Sequence, residues 1–117
     1  MIKDIVDRAN ADPLLLAKCR FIGIVFAIEG DTHRTVIRVD HGQVSVDPDA
    51  APDFILRAHD DAWADFIQPM PPRGTHDILA LLEGDRLTIA GDALALFRNL
   101  RFVKLLLDQA RNEEVVA

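Results

Sequence analysis

Residues 81–92 read LLEGDRLTIAGD and run straight into ALALFRNLRFVKLLLDQAR at 93–111. Ile78, Leu81 and Leu82 share one face of a short helix that Gly84 ends. Residues 86–90 then switch to a period of two, with Leu87 and Ile89 on one side of a strand. Gly91-Asp92 closes that strand, the glycine allowing a sharp turn and the aspartate capping a final helix of roughly twenty residues. At 100° per residue, Phe102, Ala95, Leu106, Ala110, Val103, Leu96, Leu107 and Leu100 cover an arc of roughly 160° on an unbroken helix, and Leu94 and Leu105 widen it. Lys104, Asp108, Arg101 and Arg111 form the opposite stripe, with Phe97 among them. A helix lying on one sheet needs an arc of only about 100°. The surplus implies further cover by another helix, a partner chain or a ligand.

Upstream of this stretch the strand period dominates. Residues 21–29 are apolar on both faces except at their end, which marks a central strand. Gly30-Asp31-Thr32 makes a turn, and residues 34–40 place Thr35, Ile37 and Val39 on one face against Arg34, Val36 and Arg38 on the other. Asp40-His41-Gly42-Gln43 is a hairpin signal. Val44 and Val46 then alternate with Gln43, Ser45 and Asp47, and after a loop Phe54, Leu56 and Ala58 alternate with Asp53, Arg57 and His59. Four strands in meander order, joined by the strand at 86–90, predict an α+β chain. Its five-stranded, mainly antiparallel sheet has one face in water and the other under helices. The remaining helices are marked by Ile2, Ile5, Val6 and Ala9, by Asp12-Pro13 ahead of residues 14–16, and by Trp63, Phe66 and Ile67. Asp60 or Asp61 can cap the third of these, Pro69, Pro71 and Pro72 stop it, and Thr75 can cap the helix at 78–83.

The 117 residues make one domain spanning 1–117, and with 50% hydrophobic residues the chain can build a core without staples. Thirteen Lys plus Arg against nineteen Asp plus Glu leave a net charge of −6, which excludes non-specific nucleic-acid binding. A single cysteine, Cys19, makes neither an internal disulfide nor a CxxC site. No apolar run reaches the roughly 20 residues of a bilayer span. Asp4 and Asp7 sit where a signal peptide would be basic and then apolar, so a cytoplasmic location is expected.

Catalytic signals are sparse. Ser45 shares a solvated strand face with Gln43 and Asp47, and no GxSxG turn presents it. Cys19 lies between Lys18 and Arg20, cations that can lower a thiol pKa, but a lone cysteine beside a strand also serves as a small packing residue. His33, His41, His59 and His76 each have an acidic neighbour in sequence, at turns or helix starts where aspartate caps and histidine is exposed. Asp47, Asp49 and Asp53 open like a calcium loop, yet the glycine and closing glutamate are missing and Pro48 interrupts them. No metal site or cofactor is called for. Arg98, Arg101, Lys104 and Arg111 give the last helix a basic stripe, either a solvated face or a contact for an anionic headgroup at a pocket mouth.

The hairpin VDHGQVSV at 39–46, PDFIL at 52–56 and the LLEGDRLTIAGD stretch, in that order, resemble the sterol carrier protein 2 domain across roughly residues 20–110. The resemblance implies a five-stranded sheet covered on one side by helices and enclosing an apolar cavity. It implies non-covalent binding of a sterol, fatty acid, fatty acyl-CoA, phospholipid or isoprenoid lipid, with no catalytic residue. Other members of that family serve as accessory domains in isoprenoid-quinone biosynthesis. On amphipathic faces, Trp63, Phe66, Ile67, Leu82, Leu96, Leu100, Val103 and Leu107 are the candidates for the cavity wall. Two departures stand out. The chain ends Val115-Val116-Ala117 rather than in a Ser-Lys-Leu type signal, so peroxisomal import is not expected. A charge of −6 also differs from the basic surface of those carriers, so weak or no membrane association is expected.

Three functional expectations follow: a carrier of a hydrophobic small molecule, an interaction module whose apolar helix meets a second copy or an enzyme, and a small isomerase or hydrolase using His59 with Asp60 or Asp61.

Overall fold

Alternation along five short segments builds the sheet that organises the chain. A computed structural model describes residues 5–111. The strands are β1 (Gly23–Glu29), β2 (Arg34–Asp40), β3 (Gln43–Val46), β4 (Phe54–Ala58) and β5 (Leu87–Gly91). The helices are α1 (Ile5–Asn10), α2 (Pro13–Lys18), α3 (Asp60–Phe66), α4 (Ile78–Glu83), α5 (Ala93–Arg98) and α6 (Leu100–Asp108). Ile2 and Asp4 at one end and Val115-Val116-Ala117 at the other, on which the first-helix, leader and import readings partly rest, lie outside the described residues.

The sheet runs β3-β2-β1-β4-β5, so the expected α+β, mainly antiparallel architecture is present with one change in topology. β4 does not continue the meander beside β3. It crosses to the far side of β1 and pairs with it in parallel, Phe26 opposite Phe54 and Ile28 opposite Leu56. The reason lies in β1, where positions 26–28 are all buried. A meander would leave that strand at the sheet's edge, whereas the crossover gives it a neighbour on both sides.

Ile24, Phe26 and Ile28, with Ile37, Val39, Phe54, Leu56 and Leu87, point to the inner face and join the buried residues of all six helices in one core. Phe26 and Phe54 stack at 5.2 Å between centroids. On the other face Val36, Ala27 and Ile55 form an apolar row across three strands, bordered by the charged row Arg34, Glu29 and Arg57. Both arginines of that row pair with Glu29, and long arginine stems commonly shield such apolar surface. Among the described residues the helices therefore cover one face only.

Two turns show how local chemistry sets this path. His41 and Gly42 both have positive φ, 47° and 90°, the conformation of a tight two-residue hairpin between β2 and β3. Gly91 has φ 86°, and a Cβ there would meet the Asp53 carbonyl oxygen at 2.7 Å, so only glycine fits where β5 ends beside β4. Asp92 follows, its amide donating to the same carbonyl at 2.8 Å and its carboxylate accepting from the Ala95 amide.

Several boundaries differ from expectation. Phe21 is not in β1. It is 82% exposed, because the Ile22 amide turns back to the Cys19 carbonyl and delays the strand to Gly23. His59, not Asp60 or Asp61, occupies the N-cap of α3. Asp77, not Thr75, caps α4 through the Ala80 amide, while the buried Thr75 hydroxyl donates to the Pro72 carbonyl. The expected single last helix is two. Asn99 donates its side-chain amide to the Ala95 carbonyl at 2.8 Å and leaves helical geometry at φ −116°, ψ 17°, so α5 stops and α6 starts one residue later. Among the described residues no helix is long and apolar enough to cross a membrane.

Candidate functional site

The break at Asn99 re-aims the apolar surface that an unbroken helix would spread over a wide arc. α5 buries Leu96, and α6 buries Phe102, Val103, Leu106 and Leu107. Ala95, Leu100 and Leu105 are partly buried against the core, which leaves Leu94 and Phe97 exposed. Much of the surplus arc is thus absorbed by packing.

At the break an open cleft of about 460 Å³ runs between the end of α2 and the α5–α6 junction. Ile22, Phe102 and Leu105 supply its apolar lining, and Lys18, Arg98 and Arg101 supply cations, with Asn99 between them. Lys18 and Arg98 are the last residues of their helices, where positive charge complements the carbonyl ends. Neither Arg98 nor Arg101 has a salt-bridge partner among the described residues. The basic stripe expected on one helix is therefore divided. Lys104 is bound to Asp77 at 3.1 Å. Arg111 donates to the Phe66 and His76 carbonyls and lies 4.9 Å over the Phe66 ring, tying the end of α6 to α3.

The eight expected wall residues all join or pack on the one core. Trp63, Phe66, Ile67, Leu96, Val103 and Leu107 are each 4% exposed or less, and Leu82 and Leu100 are partly buried. Trp63 and Phe66 meet edge to face at 5.8 Å, and the indole N–H of Trp63 donates to the Glu29 carbonyl at 3.0 Å. None of the eight lines the cleft, although Leu100 sits between two residues that do. Lys18, Ile22, Phe102 and Leu105 were not among the sequence candidates. Phe102 and Leu105 lay in the apolar arc, but only the fold brings Ile22 to them.

Other chemistry is peripheral. Cys19 is fully buried, its thiol donating to the Leu16 carbonyl and pushed up in pKa by burial, the behaviour of a packing residue. His59 Nδ1 lies 2.8 Å from Asp31, not from the sequence neighbours Asp60 or Asp61. The Asp31 carboxylate raises the His59 pKa, while the Asp60 amide and then His59 lower that of Asp31. The Asp31 amide in turn donates to Asp60, as does the Thr32 hydroxyl, so the group clips the β1–β2 turn to the start of α3. Asp77 is held below the ordinary carboxylate range. Burial raises its pKa, but the Ala80 amide and the Lys104 ammonium outweigh it. Among the described residues no group of three or more His, Cys, Asp or Glu is placed to hold a metal ion.

No protein-family model matches this sequence. No curated protein matches it either. Solved structures do match. A sterol carrier protein 2 superposes with a TM-score of 0.72 at 16% identity, covering 97% of this chain and 95% of the other. A ubiquinone synthesis protein titled UbiJ-SCP2 gives 0.61 at 18% identity over 94% and 95%. The palmitated SCP2L2 of Aedes aegypti gives 0.56 at 20% identity over 97% and 95%. A helix-covered, five-stranded sheet that superposes on these domains over nearly the full length of both partners has the sterol carrier protein 2 fold.

Proposed function

We propose that this protein binds a hydrophobic small molecule without covalent chemistry, as a carrier or holder of a sterol, fatty acid, fatty acyl-CoA or isoprenoid lipid. The observation that carries the reading is the superposition on sterol carrier protein 2 over 97% of this chain. The cleft at the α5–α6 break is the opening through which the ligand reaches the interior. Its tail lies among α3, α4, α5 and α6, along Trp63, Phe66, Ile67, Leu82, Leu96, Leu100, Val103 and Leu107. This requires the packed core to give way, and Leu82 and Leu100, already partly exposed, are the side chains that move first. Each buried methylene contributes about 0.8 kcal/mol, so a long acyl chain binds with few polar contacts and chain length outweighs headgroup identity. The reading includes no catalytic step and a cytoplasmic setting.

The test is a titration of delipidated protein with a fluorescent long-chain acyl probe. Saturation at one probe per chain, reversed by unlabelled lipid and tighter with each added methylene, is the expected result. Probe signal that never saturates, or is indifferent to competitor, removes the carrier reading.

A second reading is favoured by the UbiJ-SCP2 superposition at a TM-score of 0.61. In it the chain is an accessory module for a lipid- or quinone-biosynthesis enzyme and presents exposed Leu94 and Phe97 of α5 to an enzyme or a second copy. Light scattering on the purified chain, alone and with a candidate enzyme, distinguishes the two uses.

A further inference from the structure

The two edges of the sheet differ in how they are closed. At one edge β3 is four residues long and packs against α1, and Asn10 donates its side-chain amide to the Val44 carbonyl at 3.0 Å. At the other edge β5 reads LTIAG and carries no lysine, proline or charge of the kind that blocks pairing. Thr88, Ala90 and Gly91 are exposed there, and Ile89 is half-buried. The Asp92 amide donates to the Asp53 carbonyl and Gly91 lies opposite Phe54, so Thr88 and Ala90 are the residues whose backbone groups bond to β4. The backbone groups of Leu87 and Ile89 and the amide of Gly91 therefore point away from the sheet. Among the described residues none of these groups has a hydrogen-bond partner.

We infer that this edge pairs with the same edge of a second copy, antiparallel about a two-fold axis at Ile89, and joins two five-stranded sheets into one. The register is self-complementary. Ile89 falls opposite Ile89 of the second copy, where the two residues exchange amide-to-carbonyl bonds, and each Gly91 amide meets the Leu87 carbonyl across the axis. A slip of one residue would bring groups already bonded to β4 to the seam. Arg86 falls opposite Asp92, so unlike charges flank the pairing at both ends. The axis stands normal to the sheet, which puts both helix-covered faces on one side. There the two Ile89 side chains meet and cover flanks that a single chain leaves half-exposed, while Thr88 lies opposite Ala90 on the open face. A second copy is favoured over an unrelated strand because one register satisfies hydrogen-bond direction and end charge together. A single strand pair belongs to the small, transient class of interfaces, so association depends on concentration. The inference goes beyond the carrier reading and does not rest on it, and it uses the sheet edge rather than Leu94 and Phe97 of α5.

The test is light scattering together with amide hydrogen exchange on the full chain over a range of concentrations. Scattering should pass from one chain mass toward twice that mass. Over the same range exchange at the Ile89 amide should slow about tenfold or more, while that of Thr88, already bonded to β4, changes less. Thr88→Glu combined with Ala90→Glu sets carboxylates opposite one another across the axis and should weaken the dimer about tenfold. Thr88→Glu combined with Ala90→Lys sets unlike charges there and should restore association, with melting curves showing that both variants are folded. A strict monomer up to about 1 mM overturns the inference. So does a dimer whose Ile89 amide exchanges as fast as in the dilute chain, or equal weakening by the two double variants. Loss of the dimer in Phe97→Ser, with the like-charge variant still paired, would put the contact on α5 and overturn it as well.

Discussion

Gly91 carries more of the architecture than its size suggests. Its φ of 86° and its approach to Asp53 let β5 end against β4 and hand the chain to α5 within a single residue. Gly91→Ala should cost about 2 kcal/mol through backbone strain and the clash, read as a lowered denaturation midpoint with unchanged slope. An unaltered midpoint would mean that the turn relaxes freely. A second single-residue device is the His59–Asp31 contact. The raised His59 pKa means that the folded state favours the protonated ring, so this contribution is full below the ordinary value of 6.5 and is lost as pH rises through the folded value. The lowered Asp31 pKa works at the other end, its contribution being lost as pH falls through the depressed value below 3.8. An NMR titration of His59 should show a midpoint above 6.5 that returns toward 6.5 in Asp31→Asn. Identical midpoints in the two proteins would contradict the pairing.

At the scale of elements, much is legible from local chemistry. Asp12-Pro13, the His41-Gly42 hairpin and Gly91-Asp92 each announce their geometry, because capping and positive φ are decided within a few residues. What is not legible is decided by partners far along the chain. The crossing of β4 to β1 follows from competition among strands for the central position, which no single strand encodes. Asn99 is intermediate. An asparagine inside a helical period carries a signal for a break, since its side chain competes with the backbone, yet the apolar pattern around it runs on unbroken. The two halves of the last helical segment separate by mutation. Leu106, fully buried on α6, should cost about 3 kcal/mol or more on truncation to alanine. Leu100→Ala, at the partly exposed start of α6, should instead alter acyl-probe affinity more than stability. Equal losses in a paired binding and melting experiment would remove Leu100 from the ligand's path.

For the whole molecule, the division of labour is between two faces and one opening. The open sheet face spends its charges on itself, Arg34 and Arg57 pairing with Glu29 and Arg38 with Asp47. The covered face holds the apolar interior, and Lys18, Arg98 and Arg101, without salt-bridge partners among the described residues, line the cleft beside it. Of the eight residues that helix periodicity offers as a cavity wall, six are buried in the core and Leu82 and Leu100 pack against it. The cleft itself escaped sequence reading because α2 and α6 are brought together from opposite ends of the chain. The proposed entry of an apolar ligand into this interior is a claim on which the single tryptophan, buried at Trp63, reports directly. The decisive measurement is energy transfer from Trp63 to a fluorescent long-chain acyl probe on delipidated protein. Saturable transfer at one probe per chain, abolished by unlabelled lipid, is the predicted result. A probe that binds without transfer, or no binding at all, would mean that the interior stays filled by the protein's own side chains, and would contradict the claim.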